Sequence, residues 1–329
     1  MLRQLSIDPP LARAGVDRDS VVRSDPKLFD RLLSDGDTRI LALHAGRVPM
    51  SDGHLVLCRV EDVTSALVRA YLGRTLVEEQ GAAAGAAIIL NILSDNAQRE
   101  LASRLDAEWV ELRDIGGVLT DRDAGLVVEA VALSRWHENY QYCPRCGLPN
   151  IVGQAGWVRR CPDDGFEVYP RIDPAIIVAI RDQHDRLLLG GGRAGWYSVL
   201  AGFVEAGEPL EAAVVREVRE ESGLNVAVDA YLGSQSWPYP LSLMLAFSAR
   251  VTDDDADAAL HPDGEEITHL EWFTREDLWR RKEQLRLPGT ASIARAMIES
   301  WLGRPLDAGD EHPEPTPAPN TFLAGTDIP

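Results

Sequence analysis

The chain predicts an α/β protein of at least two domains, and three observations carry that expectation. Its 329 residues exceed the usual size of one domain. Residues 174–180 (PAIIVAI) form an unbroken aliphatic run, the mark of a strand buried on both faces. A helix of about four turns is framed between Glu208 and Gly223, with further strand-like runs on both sides. The expected C-terminal architecture is a mixed sheet packed between helices. A small cysteine-bearing module and an N-terminal α/β domain precede it.

The N-terminal domain is assigned to residues 1–137. Residues 38–44 and 55–60 read as strands, and residues 83–93 are small and aliphatic. Residues 97–105 turn helical, and residues 112–133 combine Asp-rich turns with another aliphatic stretch. No chemical motif is present, so a scaffold that supports dimerisation is the expected role. The cysteine module covers residues 138–169. In the third part, residues 170–305, the strand at 174–180 takes 186–189 as its hairpin partner. Residues 197–203, 226–233, 241–251 and 269–273 are further strands, and 288–302 is a terminal amphipathic helix. Residues 306–329 are rich in Pro, Asp, Glu and Thr, and disorder is expected there.

The framed helix holds the chemistry. Pro209 suits a first helical turn, where its missing N–H has no partner to lose. Glu208 lies at the positive end of the helix dipole, and Gly223 suits a left-handed C-terminal cap. Ala213, Val214 and Val218 give the core an apolar stripe. Glu217, Glu220 and Glu221 stand at i, i+3 and i+4, so their carboxylates share a face. Like charges so placed repel by a few tenths of a kcal/mol per pair, and a divalent cation removes that penalty. Carboxylate and water ligands suit Mg²⁺ or Mn²⁺. Arg216 is placed to hold a glutamate in its rotamer through a bidentate pair. The bland alternative is a solvated acidic face.

Composition narrows the function classes. Net charge is −19, with acidic loops such as Asp253-Asp254-Asp255, which disfavours general nucleic-acid binding. No apolar run nears the ~20 residues that span a bilayer, and no basic-then-apolar leader is visible. Four cysteines in so long a chain make a disulfide framework improbable. The cytoplasm is the expected compartment. Cys143 and Cys146 form one C-x2-C knuckle, and Cys161 follows fifteen residues later. The fourth knuckle position is Asp164, so a Cys3Asp set for structural Zn²⁺ is chemically feasible. A knuckle that keeps its shape without metal is the competing reading. Cys58 reads as a small core residue.

From Gly202 to Leu224 the sequence fits G-x5-E-x7-R-E-U-x-E-E-x-G-U at all nine fixed positions, with U a bulky aliphatic residue. The segment resembles the Nudix hydrolase signature. The resemblance implies an α/β/α sandwich and Mg²⁺- or Mn²⁺-dependent hydrolysis of a nucleoside diphosphate linked to another group. Eleven residues past Gly223, Ser234-Gln-Ser-Trp-Pro-Tyr-Pro-Leu-Ser242 resembles S-Q-P-W-P-F-P-x-S, the mark of the NADH pyrophosphatase branch. Ser236 and Tyr239 depart from it. A zinc-ribbon-like module directly before the Nudix domain is also a feature of that branch.

By this resemblance Glu217, Glu220 and Glu221 are catalytic and, with Glu266, bind the Mg²⁺ or Mn²⁺. Phe203 stacks on the nicotinamide, while Gln235, Trp237 and Ser242 contact substrate. Tyr169 reaches the site of a partner subunit in a homodimer, and Ala294 offers a backbone contact. A family glutamate is replaced here by Gly156. The implied substrate is NAD(H), cut to nicotinamide mononucleotide and AMP, with the NAD cap of RNA as a further substrate. Two alternatives stand beside this one: a Nudix hydrolase for ADP-ribose or a coenzyme A species, and a nucleotide sensor that does not cut.

Overall fold

Two three-layer units and a small ribbon make up the computed structural model, which describes residues 7–63, 65–192, 195–252 and 260–308. In the first unit a five-stranded sheet runs in the order Val16–Asp17, Val68–Thr75, Ala87–Ile92, Arg39–Leu43, Cys58–Arg59. Alternate residues face opposite sides of a strand, and both sides are buried here. Leu41, Leu43, Ile88 and Leu90 face one core, under the helix Asp121–Asn139. Ile40, Ala42, Ala87 and Ile89 face the other, with Leu28, Leu32 and Leu101 from helices Leu28–Leu33 and Asp95–Ala102. Cys58 is buried in that second core, and burial pushes its thiol pKa up to about 11.

The helix Asp121–Asn139 replaces the turns expected within residues 112–133. The Thr120 hydroxyl caps it, accepting from the Asp123 N–H at 3.2 Å. Most of its residues are buried around the whole circumference, including Val127, Val131 and Trp136. Such a helix shows no one-sided apolar stripe.

The cysteine module is a three-stranded antiparallel ribbon, Ile151–Gly153, Val158–Arg160 and Glu167–Val168. It is docked on the first unit. The Trp157 indole N–H donates to the Tyr71 carbonyl at 2.8 Å. Arg159 donates to the Nδ1 and carbonyl of buried His137, whose Nε2 is 2.9 Å from the Gly156 carbonyl. Gly156 has φ 94°, and a Cβ there would meet the Ala70 Cα at 2.5 Å. The close approach explains the glycine: no glutamate fits at this position.

In the C-terminal unit the strand Asp173–Arg181 is central. It pairs in parallel with Ser242–Val251 and antiparallel with Leu200–Phe203. Val226–Trp237 lies antiparallel on the outer edge of Ser242–Val251. The expected hairpin partner, Leu187–Gly191, shares one pair with the central strand, Arg181↔Leu187. Leu200–Phe203 occupies the central strand's edge beyond that point, so Leu187–Gly191 diverges and pairs with His269–Phe273. Ile176, Val178 and Ile180 pack on Ala213, Val214 and Val218 of the glutamate helix, Leu210–Ser222. Ile177 and Ala179 pack on Ile293, Met297 and Ile298 of the last helix, Ile293–Leu302. This is the expected α/β/α sandwich.

The units interlock. Ile7 packs in the C-terminal core, while Leu241 and Ala291 pack in the N-terminal one. Leu306 is also buried in the C-terminal core, and Lys282 donates to its carbonyl at 2.7 Å. Residues 306–308 are thus ordered against expectation, because an apolar anchor and a cation hold them. The rest of the expected tail, 309–329, and the acidic loop at Asp253-Asp254-Asp255 lie outside the described residues. Among the described residues, no helix is long and apolar enough to cross a membrane.

Candidate active site

The glutamate helix opens at Leu210, with Pro209 as its N-cap instead of a first-turn residue. It closes on Gly223 at φ 76°, whose N–H donates to the Arg219 carbonyl at 2.9 Å. Its polar face looks onto an open cleft of about 480 Å³. The cleft is lined by Glu217, Glu220, Glu221, Glu266, Phe203 and Ser242. Residues widely separated in sequence thus line one cleft. Asp263 and Glu265 line it too and were not anticipated. The signal was present in the Asp263-Gly264 turn: the Asp263 Oδ1 accepts from the N–H groups of Glu265, Glu266 and Ile267.

Arg216 organises the cleft more broadly than expected. Its Nε and Nη2 donate to the two Glu208 oxygens, each at 2.8 Å, in a bidentate pair. Its Nη1 donates to Glu217 at 2.9 Å and to Glu220 at 3.0 Å, and its Nη2 also reaches the Phe203 carbonyl at 2.9 Å. These bonds from Arg216 hold the Glu208 carboxyl down to a pKa of about 2. Glu208 therefore acts as the arginine's partner and also accepts the Glu205 N–H at 3.0 Å. Gly202 lies directly under Glu217, on the strand beside the helix.

Glu221 differs from its neighbours. It is 5% exposed, and its Oε2 has no hydrogen-bond partner. Burial first, then the charges of Glu217, Glu266, Asp263 and Glu220, push its pKa up to about 8. Burial likewise raises Glu217. A buried carboxylate without a donor, facing other carboxylates, is a costly arrangement unless a cation joins it. The donor set is all oxygen, which fits a hard divalent ion such as Mg²⁺ or Mn²⁺. In this structure the positive charge between Glu217 and Glu220 is Arg216. Among the described residues, no three carboxylates converge within 4.8 Å.

The other expected contacts are distributed. Phe203 presents an exposed ring at the cleft, and Ser242 is buried in its wall. Trp237 lines a neighbouring pocket with Arg113, Trp196 and Ser292, and its ring lies 5.0 Å from that of Tyr239. The Gln235 amide is turned inward: it accepts from the Leu11 N–H at 2.9 Å and donates to the Ala291 carbonyl at 2.9 Å. The structure thus commits that amide to joining the two units, away from any ring or ribose. Ala294 is buried, and its N–H is taken by the Ser292 hydroxyl at 3.2 Å. Tyr169 is exposed, outside the cleft, and its hydroxyl bonds Glu167.

In the ribbon, the Sγ atoms of Cys143, Cys146 and Cys161 lie within 4.8 Å of one another, with Cys146 and Cys161 at 3.5 Å. The two knuckles are conformational copies. Gly147 donates to the Cys143 carbonyl and Gly165 to the Cys161 carbonyl, with φ 75° and 71°. Cys143 and Cys161 donate in turn to Leu148 and Phe166, each at 2.8 Å. Asp164 therefore occupies the position in its knuckle that Cys146 holds in the other. Its Oδ1 accepts the Phe166 N–H at 2.8 Å.

Comparison with known proteins agrees with this geometry. Residues 171–295 match the NUDIX domain, and residues 138–169 match the NADH pyrophosphatase zinc ribbon domain. A protein of Mycobacterium tuberculosis described as NAD-capped RNA hydrolase NudC is 44% identical over 211 residues, covering 60% of this chain and 66% of that protein. One of the same description from Deinococcus radiodurans is 41% identical over 210 residues, covering 62% and 71%. Another from Pseudomonas aeruginosa is 40% identical over 177 residues, covering 53% and 60%. The match spans just under two thirds of the mycobacterial relative's length. The chain belongs to the Nudix hydrolase family, in the branch whose Nudix domain follows an NADH pyrophosphatase zinc ribbon.

Proposed function

We propose that the protein hydrolyses the diphosphate of NAD(H) to nicotinamide mononucleotide and AMP, and removes the NAD cap from RNA 5′ ends. The buried Glu221, its Oε2 unpaired among Glu217, Glu266 and Asp263, is the observation that carries the reading. The relatives' shared description, NAD-capped RNA hydrolase, supports the substrate class.

Glu217, Glu220, Glu221 and Glu266 would hold Mg²⁺ or Mn²⁺. When bound, such an ion polarises a phosphoryl oxygen and lowers the pKa of a water. Arg216 keeps Glu208, Glu217 and Glu220 in fixed rotamers, so the carboxylates need little reorganisation at the moment of reaction. A glutamate of this set that is not fully committed to the metal would take the proton of the attacking water. The exposed Phe203 ring offers a face for the flat nicotinamide, worth roughly 1 kcal/mol beyond area burial. The Ser242 hydroxyl can donate to or accept from the substrate at the cleft wall.

Three further assignments belong to this reading. Cys143, Cys146 and Cys161 hold a structural Zn²⁺, with Asp164 as fourth ligand through its Oδ2. The working form is a homodimer, in which exposed Tyr169 contacts the partner's substrate. The protein acts in the cytoplasm. Incubation with NADH and Mg²⁺ or Mn²⁺ tests the activity. The expected products are AMP and reduced nicotinamide mononucleotide in equal amounts, with an NAD-capped RNA yielding a 5′-monophosphate end. No AMP from a folded protein supplied with either metal would refute the assignment.

A further inference from the structure

Glu266 differs from the other carboxylates of the cleft in what carries it. Glu217, Glu220 and Glu221 share the helix Leu210–Ser222, whereas Glu266 stands on the segment 261–268, outside any helix or strand. A ligand on a loop reaches a precise position only if the backbone beneath it is fixed. Here that backbone is held at both ends and in the middle.

At the first end the His261 N–H donates at 2.9 Å to the carbonyl of Ser222, the last residue of the glutamate helix. His261 also lies against Gly223, where a Cβ would come within 3.2 Å of the His261 Cβ. Gly223 thus caps the helix and leaves room for the loop. At the other end the Thr268 N–H and hydroxyl both donate to the Gly191 carbonyl, at 2.8 and 3.1 Å. Ile267 packs on the core beneath the glutamate helix. In the middle, the Asp263 Oδ1 accepts from the N–H groups of Glu265, Glu266 and Ile267 at 2.8, 3.1 and 2.9 Å. Gly264, at φ 78°, donates to the Ile267 carbonyl at 2.9 Å and closes the turn.

One oxygen therefore gathers three consecutive backbone donors, and one of them is the N–H of Glu266 itself. Bonds from N–H groups to a carboxylate are roughly twice as strong as neutral ones, so they fix the turn firmly. On the same cleft, Glu221 keeps a buried Oε2 without a partner. We propose that Asp263 is a positioning residue of the metal centre. Its Oδ1 holds the backbone of residues 265–267 so that the Glu266 carboxylate joins the helix glutamates at the divalent ion. The inference rests on the metal reading given under the proposed function. Asp263 acts through Glu266, and what matters is its acceptor oxygen more than its charge.

Titration of the full-length protein with Mn²⁺, read by electron paramagnetic resonance of the free ion, tests this without substrate or turnover. Asp263→Asn and Asp263→Ala both remove the charge, but only asparagine keeps an oxygen for the three N–H groups. Asp263→Ala is expected to bind Mn²⁺ at least tenfold more weakly than Asp263→Asn. In a Glu266→Ala background the two should agree within threefold, because the group that Asp263 positions is gone. Gly264→Val strains the same turn, since a β-branched residue is an outlier at positive φ, and leaves the Asp263 charge in place. It should also weaken Mn²⁺ at least tenfold, and it carries the test if Asp263→Ala fails to fold by circular dichroism. Equal affinity of the two Asp263 variants would overturn the proposal, as would unchanged affinity in Gly264→Val. So would a tenfold gap that persists without Glu266. A wild type that binds no Mn²⁺ would overturn the metal assignment and this inference with it, a result visible before any substitution.

Discussion

The Cβ that Gly202 lacks would fall 2.0 Å from the Cδ of Glu217. The first residue of the Nudix segment and a carboxylate fifteen positions later are thus one feature. The strand Leu200–Phe203 runs beneath the helix Leu210–Ser222, and the bare backbone of Gly202 is the floor on which the Glu217 carboxyl rests.

Gly202→Ala is predicted to lower kcat for NADH by ~10² or more, the size of effect seen when a preorganised group is lost at a reacting centre. The added methyl must displace Glu217, and Arg216 then loses one of its partners. Steady-state kinetics with circular dichroism checks this. Near-wild-type kcat would show that the Glu217 position is irrelevant to turnover.

The zinc assignment makes a graded prediction. Protein purified without added chelator should carry close to one zinc per chain by elemental analysis. Cys161→Ser should release it, since three sulfurs converge there. Asp164→Ala should weaken retention by ~10-fold or more, whereas Asp164→Cys should strengthen it, because thiolate is the more usual ligand in such knuckles. Zinc retention unchanged in Asp164→Ala would remove Asp164 from the ligand set.

Glu129 gives a pH dependence of stability. Its pKa in the folded protein lies near 7, against an ordinary 4.5, because of burial, with the charges of Arg18 and Arg23 opposing the rise. Below about 4.5 the group is protonated whether the chain is folded or not, and it has no effect on the slope. Between 4.5 and 7 the folded state binds the extra proton, so this contribution to stability is lost as pH rises. The full difference is on the order of 3 kcal/mol. Glu129→Gln should therefore gain stability relative to wild type between pH 5 and 8 in urea unfolding. A constant difference over that range would contradict the assignment.

The sequence made the C-terminal sandwich legible because its signals are local. A buried strand run, a framed helix and a glycine cap each declare themselves within about ten residues. The glutamate cleft was likewise recognisable from Glu217, Glu220, Glu221, Phe203 and the distant Glu266. What escaped depends on tertiary packing. The helix Asp121–Asn139 is buried around most of its circumference, so no helical period stood out. Gln235 looks like a ligand contact in its motif, yet its amide joins Leu11 to Ala291, a relation between segments 224 and 56 residues away. The reach of Arg216 to three carboxylates is likewise a matter of side-chain geometry, and only its pairing with one glutamate could be anticipated. Asp263 entered the cleft through a turn whose acidic residue looked like ordinary loop chemistry.

Glu221 is the centre of the account, because it combines deep burial, an unpaired oxygen and neighbouring carboxylates. The most direct measurement is the rate of AMP release from NADH by Glu221→Gln at saturating Mn²⁺, beside the wild type. The account predicts that kcat falls by ~10² or more with the fold intact. A variant that turns over within threefold of the wild type would contradict it.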